Sequence, residues 1–239
     1  MSNAVGCLFV VATPIGNLGD FSPRAVEILN SVDAIVAEDT RHSGTLLRHF
    51  EIHTPSLALH EHNERSLYQA LARRMLDGER LALVSDAGTP LMSDPGYLLV
   101  RECHRVGVPV VPIPGPNAAV CALSAAGLPT DRFTFEGFLP AKSGTRCNRL
   151  RELLHESRTM VFYEAPHRLV DSLADMVAVF GEQREAAIGR ELTKMHETVR
   201  LATLGELCQW VKDNPEHVRG EIVLMLRGAE PVREAGEAL

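Results

Sequence analysis

Residues 81–96, LALVSDAGTPLMSDPG, form the stretch of the sequence that best suits small-molecule chemistry. The apolar run 81–84 predicts a buried strand, and a polar loop rich in glycine and proline follows it. Gly88 lets the backbone approach a ligand closely, and the Asp86 carboxylate can hold a hydroxyl or a positive charge. Open α/β sheets bind ligands outside the carboxyl ends of their strands, so this loop predicts a ligand site. An ordinary strand-to-helix connection is the alternative interpretation.

The segment HEHNE, residues 60–64, places two histidines and two carboxylates after another apolar run. If the segment is extended, His60 and His62 point the same way, as two metal ligands could. No cysteine accompanies these histidines, and no third ligand follows at a diagnostic spacing. We therefore predict no metal site.

A charged cluster, EDTRH at residues 38–42, stands where a strand is expected to end and a helix to begin. Two interpretations of Glu38, Asp39 and Arg41 are open at this point. The three side chains could act on a ligand, or they could form a local ion-pair network.

Residues 137–158 are locally basic, with five lysines or arginines against two glutamates, on a chain of formal net charge −7. The acidic total argues against a protein that coats nucleic acid through bulk charge, but it leaves room for a local basic patch. A mobile basic flap that grips phosphate is one interpretation, and a solvated loop and helix face is the other. The cations expected to contact RNA are Lys142, Arg146, Arg149 and Arg151.

Strands alternating with helices must position these loops in the first half of the chain. The predicted strands are residues 7–12, 33–37, 55–60, 81–84 and 108–113. Such alternation predicts right-handed crossovers and a mostly parallel sheet, with all the polar loops along one edge. These loops are residues 13–20, 38–42, 61–63, 85–94 and 114–117. Helices are expected from about Glu64 and from Pro95, the second capped by Asp94.

The turn-rich segment PIPGPN, residues 112–117, predicts a boundary between two domains. We expect an N-terminal α/β domain at 5–115, a C-terminal α/β domain at 116–230 and a frayed tail at 231–239. Two late strands are separated by one helix at 204–211, which predicts a mixed sheet in the second domain.

Several classes of protein are disfavoured by the sequence. Neither GxGxxG nor GxxxxGK[ST] occurs, so the common nucleotide-phosphate loops are absent. The long uncharged run 106–130 is broken by prolines and does not predict a membrane helix. Five scattered cysteines without a CxxC pair suit a reducing cytoplasm.

Eight stretches together resemble the tetrapyrrole-methylase-fold methyltransferases. Within that fold, the chain is similar to the bacterial small-subunit ribosomal RNA 2'-O-methyltransferases that modify a cytidine in the decoding region of 16S RNA. The matching stretches are VATPIGNLGDFSPRA, VAEDTRHSGTLL, HEHNE, LVSDAGTPLMSDPGY, VVPIPGPNA, GLPTDRFTFEGFLP, VFYEAPHRL and GRELTK. They are spread over nearly the whole chain.

The resemblance implies two α/β domains of the class III methyltransferase type, with S-adenosylmethionine folded into the cleft between them. It also implies a cytoplasmic homodimer without a metal, acting on 16S ribosomal RNA in the small subunit. The cofactor-binding residues that it implies are Pro14, Asp86, Ala87, Gly88, Thr89, Pro90, Asn117, Ala118 and Tyr163. Asn117 departs from the expected serine but keeps a capping side chain. Relatives often carry a further small C-terminal helical domain, whereas this sequence ends soon after residues 227–228, as either a short form or a truncated one. We expect weaker RNA binding as a result.

Methyl transfer from a sulfonium requires in-line approach of a nucleophile, and a base or a cation helps a weakly acidic 2'-hydroxyl to react. The charged candidates are Glu38, Asp39, Arg41, Glu61, His62, Glu164, Arg190 and Lys194. We expect Glu61 or His62 near the hydroxyl, with Arg41 and Arg190 holding phosphate.

Two alternatives remain beside RNA methylation. One is a methylase of a tetrapyrrole or another small molecule, which the basic segment and HEHNE disfavour. The other is a non-enzymatic ribosome-binding factor, which need not retain the DAGTP and GPNA loops.

Overall fold

The computed structural model describes residues 5–230, which divide between Asn117 and Ala118 into two compact units. The frayed tail predicted at residues 231–239 lies outside the described residues. Between residues 5 and 230, none of the helices combines the length and apolar composition of a membrane span.

The N-terminal unit is built on a five-stranded sheet in which every pairing is parallel. The strands are β1 (Cys7–Val11), β2 (Ala34–Ala37), β3 (Ser56–Ala58), β4 (Arg80–Val84) and β5 (Val110–Ile113), in the spatial order β3-β2-β4-β1-β5. The helices are α1 (Pro23–Ser31), α2 (Thr40–His49), α3 (Glu61–Leu76) and α4 (Tyr97–Val106). The predicted parallel sheet is confirmed.

Helices cover both faces of this sheet, which explains why its strands read as continuous apolar runs. On one face, Leu29 of α1 and Leu47 of α2 join the core. On the other face, Met75 of α3 and Leu99 of α4 do so. The helices cover the faces of the sheet but not the carboxyl ends of its strands, and the polar loops lie at those ends.

The C-terminal unit has a mixed five-stranded sheet, as predicted. Its strands are β6 (Phe133–Phe138), β7 (Thr159–Glu164), β8 (Glu185–Arg190), β9 (Thr198–Thr203) and β10 (Ile222–Leu226), in the order β6-β7-β10-β8-β9. Its helices are α5 (Ala118–Ala126), α6 (Ser143–Glu152), α7 (Leu169–Phe180) and α8 (Leu204–Asp213). Among the described strands of this sheet, β6 and β7 pair in parallel and all the other pairings are antiparallel.

Two helix starts differ from the sequence-based expectation. Helix α3 begins at Glu61, three residues before the predicted start, so the predicted polar loop at 61–63 is the first turn of this helix. Helix α4 begins at Tyr97, and Gly96 occupies the N-cap position with φ 121°. The predicted cap at Asp94 is therefore wrong, because the chain needs a positive φ just before this helix.

Candidate functional site

Hydrogen bonds join three of the loops at the carboxyl ends of the parallel strands. The Thr13 N–H donates to the Gly88 carbonyl (2.8 Å), and the Gly88 N–H donates to the Thr13 carbonyl (3.1 Å). The Thr89 hydroxyl donates to the Pro116 carbonyl (2.9 Å). The loops after β1, β4 and β5 are therefore tied together. In or beside them lie the predicted cofactor-binding residues of this unit: Pro14, Asp86, Ala87, Gly88, Thr89, Pro90 and Asn117.

The backbone of the loop after β4 is strained and closely packed. Gly88 has φ 80°, and a Cβ there would lie 3.1 Å from Ile15 Cγ2. Leu91 (φ 71°) and Ser93 (φ 75°) also adopt left-handed conformations, which are costly for residues with side chains. Conformations of this kind persist only where the surroundings hold them, and they cluster at ligand sites.

Three carboxyl groups gather at the ends of β2 and β4. The Asp39 N–H donates to Asp86 Oδ1 (3.1 Å), which brings the two strand ends together. Burial, and then the charge of Asp86, raises the pKa of Glu38. Burial, and then the charge of Glu38, raises the pKa of Asp94 to about 6. Mutually repelling carboxylates of this kind favour a cationic ligand or a proton as their neighbour.

Asp39 and Arg41 form a separate ion pair beside this group. Arg41 Nη2 lies 3.1 Å from Asp39 Oδ2, and the Arg41 side chain is 91% exposed. Asp39 also caps α2 by accepting a hydrogen bond from the Arg41 N–H, and its bonds with Arg41 lower its pKa to about 2. The ion-pair interpretation thus describes Asp39 and Arg41, whereas Glu38 belongs with Asp86 and Asp94.

The segment HEHNE forms the first turn of α3. The His60 N–H donates to Asn63 Oδ1 (2.8 Å), and Asn63 Nδ2 donates to the Ala58 carbonyl (3.1 Å), so this turn is fixed to the end of β3. Glu61 and His62, the predicted catalytic pair, are exposed. Within residues 5–230 there is no group of three or more His, Cys, Asp or Glu residues that could hold a metal ion.

Glu64, which the sequence reasoning left without a role, is buried and caps α4 from the neighbouring helix. Its Oε1 accepts hydrogen bonds from the N–H groups of Gly96 (3.1 Å), Leu98 (2.8 Å) and Leu99 (3.3 Å). The signal in the sequence was the absence of a capping side chain directly before Tyr97, which leaves the α4 N–H groups in need of another acceptor.

Arg190, which was expected to hold phosphate, and Arg146, which was expected to contact RNA, are both buried in the C-terminal unit. Arg190 donates to the carbonyls of Arg219 (2.8 Å), His196 (3.1 Å) and Glu216 (3.3 Å). Arg146 lies 2.7 Å from Asp175 Oδ2, and its side chain is 3% exposed. Both guanidinium groups are buried and bonded to partners within the protein, so neither is exposed to an incoming phosphate.

The other predicted RNA-contacting cations differ in what surrounds them. Arg149 pairs with Glu136 (2.7 Å) and Glu152 (2.6 Å), which offset its charge. Lys142 is exposed just before α6. Arg151 is also exposed and donates to the neutral Asn148 Oδ1 (2.7 Å). Lys142 and Arg151 are therefore the best placed of the four to meet a phosphate.

Two further charged candidates take part in local networks. Glu164 is buried and accepts hydrogen bonds from Arg168 Nε (2.8 Å) and the Ser172 hydroxyl (2.5 Å). Lys194 Nζ lies 2.9 Å from Glu191 Oε1 and pairs with a second glutamate, Glu221. Both arrangements stabilise loops that follow strands of the C-terminal sheet.

Ala118 and Tyr163 are the predicted cofactor-binding residues of the C-terminal unit. Ala118 is the first residue of α5. The Tyr163 ring on β7 packs edge-on against Phe135 (centroids 4.8 Å apart) and Phe138 (5.6 Å), and Phe138 is 55% exposed. Tyr163 is thus held in an aromatic group with two residues of β6, the neighbouring edge strand.

Comparison with known proteins identifies a family and a fold. The family of Tetrapyrrole (Corrin/Porphyrin) Methylases matches residues 7–208. Ribosomal RNA small subunit methyltransferase I of Escherichia coli O157:H7 is 54% identical over 232 residues, which cover 97% of this chain and 81% of that protein. The protein of the same name from Pseudomonas aeruginosa is 56% identical over 225 residues, covering 94% and 80%.

Solved structures with the same fold are much more distant in sequence. Uroporphyrin-III-C-methyltransferase from Thermus thermophilus matches with a TM-score of 0.65 at 19% identity, covering 93% of this chain and 94% of that chain. A diphthine synthase matches with a TM-score of 0.69 at 14% identity, covering 93% and 90%. At such identities the likeness establishes the fold alone.

Proposed function

The chain belongs to the family of ribosomal RNA small subunit methyltransferase I, within the tetrapyrrole (corrin/porphyrin) methylases, and from this we propose that it methylates ribosomal RNA. The resemblance noted in the sequence is confirmed. In its finer form, the proposal is 2'-O-methylation of a cytidine in the decoding region of 16S RNA, with S-adenosylmethionine as methyl donor. The identity of 54–56% over nearly the whole chain carries this proposal.

A tetrapyrrole substrate has weaker support than RNA. The uroporphyrin-III-C-methyltransferase is only 19% identical to this chain, against 54% for the E. coli ribosomal RNA enzyme. The exposed cations Lys142 and Arg151 suit a polyanionic substrate. We therefore favour RNA over a small molecule.

The tied loops of the N-terminal unit suit S-adenosylmethionine chemically. The carboxylates of Glu38, Asp86 and Asp94 create a negative potential that complements a positively charged ligand. Gly88 has no side chain, so its backbone can approach a ligand. When bound, S-adenosylmethionine supplies an electrophilic methyl group. Under this proposal it is held by Pro14, Asp86, Ala87, Gly88, Thr89, Pro90, Asn117, Ala118 and Tyr163.

The chain's own residues would orient the attacking hydroxyl and take up its proton. Glu61 and His62 are exposed in the first turn of α3, where either side chain can accept a proton from a ribose hydroxyl. Arg41 is exposed at the start of α2 and can contact a phosphate. Arg190 acts indirectly, since its guanidinium holds three backbone carbonyls.

We also propose that the protein is a cytoplasmic homodimer, as its family resemblance implies. Its five cysteines are scattered along the sequence without a CxxC pair, which suits a reducing compartment. Light scattering of the purified protein measures the oligomeric state. A monomer at the concentration used for activity would contradict this part of the proposal.

The test is methyl transfer from labelled S-adenosylmethionine to small ribosomal subunits that lack the modification, with naked 16S RNA alongside. Label in the 2'-O position of one cytidine is the expected result. Comparing the two substrates shows whether the assembled subunit is required. Absence of label from both RNAs, while the cofactor still binds, would contradict the proposal and favour a small-molecule methylase or a non-enzymatic factor.

Single substitutions test the residue roles. Arg41→Ala, Glu61→Gln and His62→Ala are compared with wild type for turnover and for cofactor affinity. A loss of turnover with little change in cofactor affinity is expected for the Glu61 or His62 variant. Unchanged turnover in all three variants would contradict the assigned roles.

A further inference from the structure

Glu64 connects the helix that carries Glu61 and His62 with the end of the loop that begins at Ser85. We propose that Glu64 is a positioning residue for S-adenosylmethionine, acting through the backbone of residues 85–96. The inference rests on the proposed function, because residues 86–90 must be those that hold the cofactor. Glu64 itself need not touch the cofactor.

The geometry makes Glu64 the N-terminal cap of another helix. Gly96 stands at the N-cap of α4 and has no side chain to accept hydrogen bonds from the first turn. Glu64 Oε1 accepts from Gly96, Leu98 and Leu99, at 3.1, 2.8 and 3.3 Å. The side chain is buried, so water cannot replace this acceptor easily. A negative charge at a helix N-terminus is also favourable electrostatically.

The loop that Glu64 anchors is under backbone strain. Leu91 and Ser93 have φ of 71° and 75°, which is costly for residues with side chains, whereas Gly96 adopts its φ of 121° without that cost. The paired hydrogen bonds between Thr13 and Gly88 hold the first half of the loop. Glu64 holds its end. Without Glu64, the second half loses three hydrogen bonds that oppose relaxation of the strained residues, and the first half is displaced with it.

The same residue fixes the first turn of α3 relative to the loop. Glu64 lies one turn after Glu61, and its N–H donates to the His60 carbonyl at 3.0 Å. Helices α3 and α4 also pack through apolar residues, including Leu71 and Leu99. Because this packing does not need Glu64, loss of its carboxylate should affect the loop more than the fold.

All three hydrogen bonds end on one oxygen, which permits a graded test. Glu64→Gln keeps a carbonyl oxygen at that position, Glu64→Ala removes it, and Glu64→Asp withdraws it by one methylene. Glu102→Ala is the matched control, since Glu102 is equally buried in α4 but faces Arg105 near the other end of the helix. Equilibrium dialysis of each full-length variant with S-adenosylmethionine gives Kd, and thermal melting reports the fold.

We expect Glu64→Ala to raise the Kd about tenfold, since it leaves three N–H donors, two of them buried, without their acceptor. Glu64→Gln should stay near the wild-type Kd, and Glu102→Ala should leave Kd unchanged while lowering the melting temperature. If Glu64→Ala does not fold, Glu64→Asp provides the comparison, with a raised Kd expected. Amide hydrogen exchange in residues 85–99 should increase in both weakened variants and stay unchanged in Glu102→Ala.

A wild-type Kd in Glu64→Ala or in folded Glu64→Asp would overturn the inference. So would an equal loss of affinity in Glu102→Ala, which would indicate a merely structural role. Wild-type protein that does not bind S-adenosylmethionine would overturn it as well. Dialysis contains no RNA, so failure to methylate RNA together with Glu64-dependent binding would contradict only the proposed substrate.

Discussion

Thr13 and Gly88 exchange two backbone hydrogen bonds, of 2.8 and 3.1 Å, although they are 75 residues apart in the chain. The bridge is antiparallel, whereas the strands that precede the two residues, β1 and β4, are parallel neighbours. The loop after β4 must therefore turn back across the end of β1. Backbone hydrogen bonds hold this loop in position. A substitution that restricts the backbone of Gly88 is therefore expected to displace the loop.

Replacing Gly88 by alanine should weaken S-adenosylmethionine binding. The residue has φ 80°, and the added Cβ would lie 3.1 Å from Ile15 Cγ2 and 3.6 Å from the Pro116 carbonyl oxygen. The left-handed conformation alone costs about 1–2 kcal/mol for alanine. Crowding at Ile15 then shifts the loop, so a rise in Kd of about tenfold is expected in equilibrium dialysis.

Gly107→Ala separates the cost of the left-handed backbone from the crowding at Ile15. Gly107 has φ 81° at the end of α4, and a Cβ there would meet nothing within 4 Å. This variant should lose a similar amount of stability to backbone strain and keep wild-type affinity for the cofactor. Equal affinities in the two variants would show that the Gly88 loop does not hold the ligand.

The second prediction distinguishes a structural arginine from one available to RNA. Arg146→Ala leaves the Asp175 carboxylate without its partner in a largely buried pair, so a loss of about 3 kcal/mol in the free energy of unfolding is expected. Arg151→Ala removes an exposed side chain and should change stability by less than about 0.5 kcal/mol. Urea unfolding measures both values.

RNA affinity should be affected in the opposite order: Arg151→Ala should lose more affinity than Arg146→Ala when the two variants are compared at equal folded fraction. Arg151→Ala should weaken binding to 16S RNA and flatten its salt dependence, because a phosphate contact is lost. Arg146→Ala should leave the salt dependence unchanged. A flattened salt dependence in Arg146→Ala alone would mean that its guanidinium leaves Asp175 to bind RNA.

Much of the fold could be predicted from the sequence because its strongest signals are local. The run CLFVVA predicted β1 within one residue, since a strand buried on both faces reads as a continuous apolar stretch. The alternation of strands and helices then predicted one parallel sheet with the polar loops at one edge. The position of the loop after β4 at that edge also indicates a ligand site at Asp86 and Gly88, whereas the cofactor role of Asn117 is implied by the family resemblance.

What the sequence could not predict depends on partners distant in the chain. The α4 cap comes from Glu64, which lies 32 residues before Gly96. Arg146 and Arg190 contribute to a basic composition, but burial against Asp175 and against three carbonyls decides what they do. Counting charges along the chain does not reveal which of them are buried.

The third prediction concerns Arg190. Its planar guanidinium donates to carbonyls in three places, the Nε to Arg219 and the two Nη atoms to His196 and Glu216. Arg190→Lys retains the charge but cannot reach all three acceptors, so stability should fall by about 2 kcal/mol. Urea unfolding checks the value. If the lysine variant is as stable as wild type but binds RNA poorly, Arg190 holds phosphate after all.

The last prediction is the pH dependence set by Asp94. Its pKa is about 6 in the folded protein, raised by burial and then by Glu38, against an ordinary 3.8. At pH values between these two pKa values, the Asp94 carboxyl is protonated more in the folded state than in the unfolded state. The free energy of unfolding therefore falls as pH rises from about 4 to about 6. Asp94→Asn removes that effect. The variant should therefore gain stability over wild type at pH 7.5 and gain little at pH 4.5, in urea unfolding at both pH values.

Asp39→Asn is the control with the opposite sign. Hydrogen bonds from the side chain and the backbone N–H of Arg41 lower the pKa of Asp39 to about 2, so its ionised form stabilises the folded state above its ordinary pKa, and that contribution disappears as pH falls towards 2. Asp39→Asn should lose stability at pH 7.5, where Asp94→Asn gains it. Under the proposed cofactor role of these loops, the Asp94 variant should also bind S-adenosylmethionine more weakly, because it lacks one of the three carboxylates that favour a cationic ligand. A stability gain of equal size at both pH values would contradict the raised pKa, and unchanged cofactor affinity would separate Asp94 from the binding site.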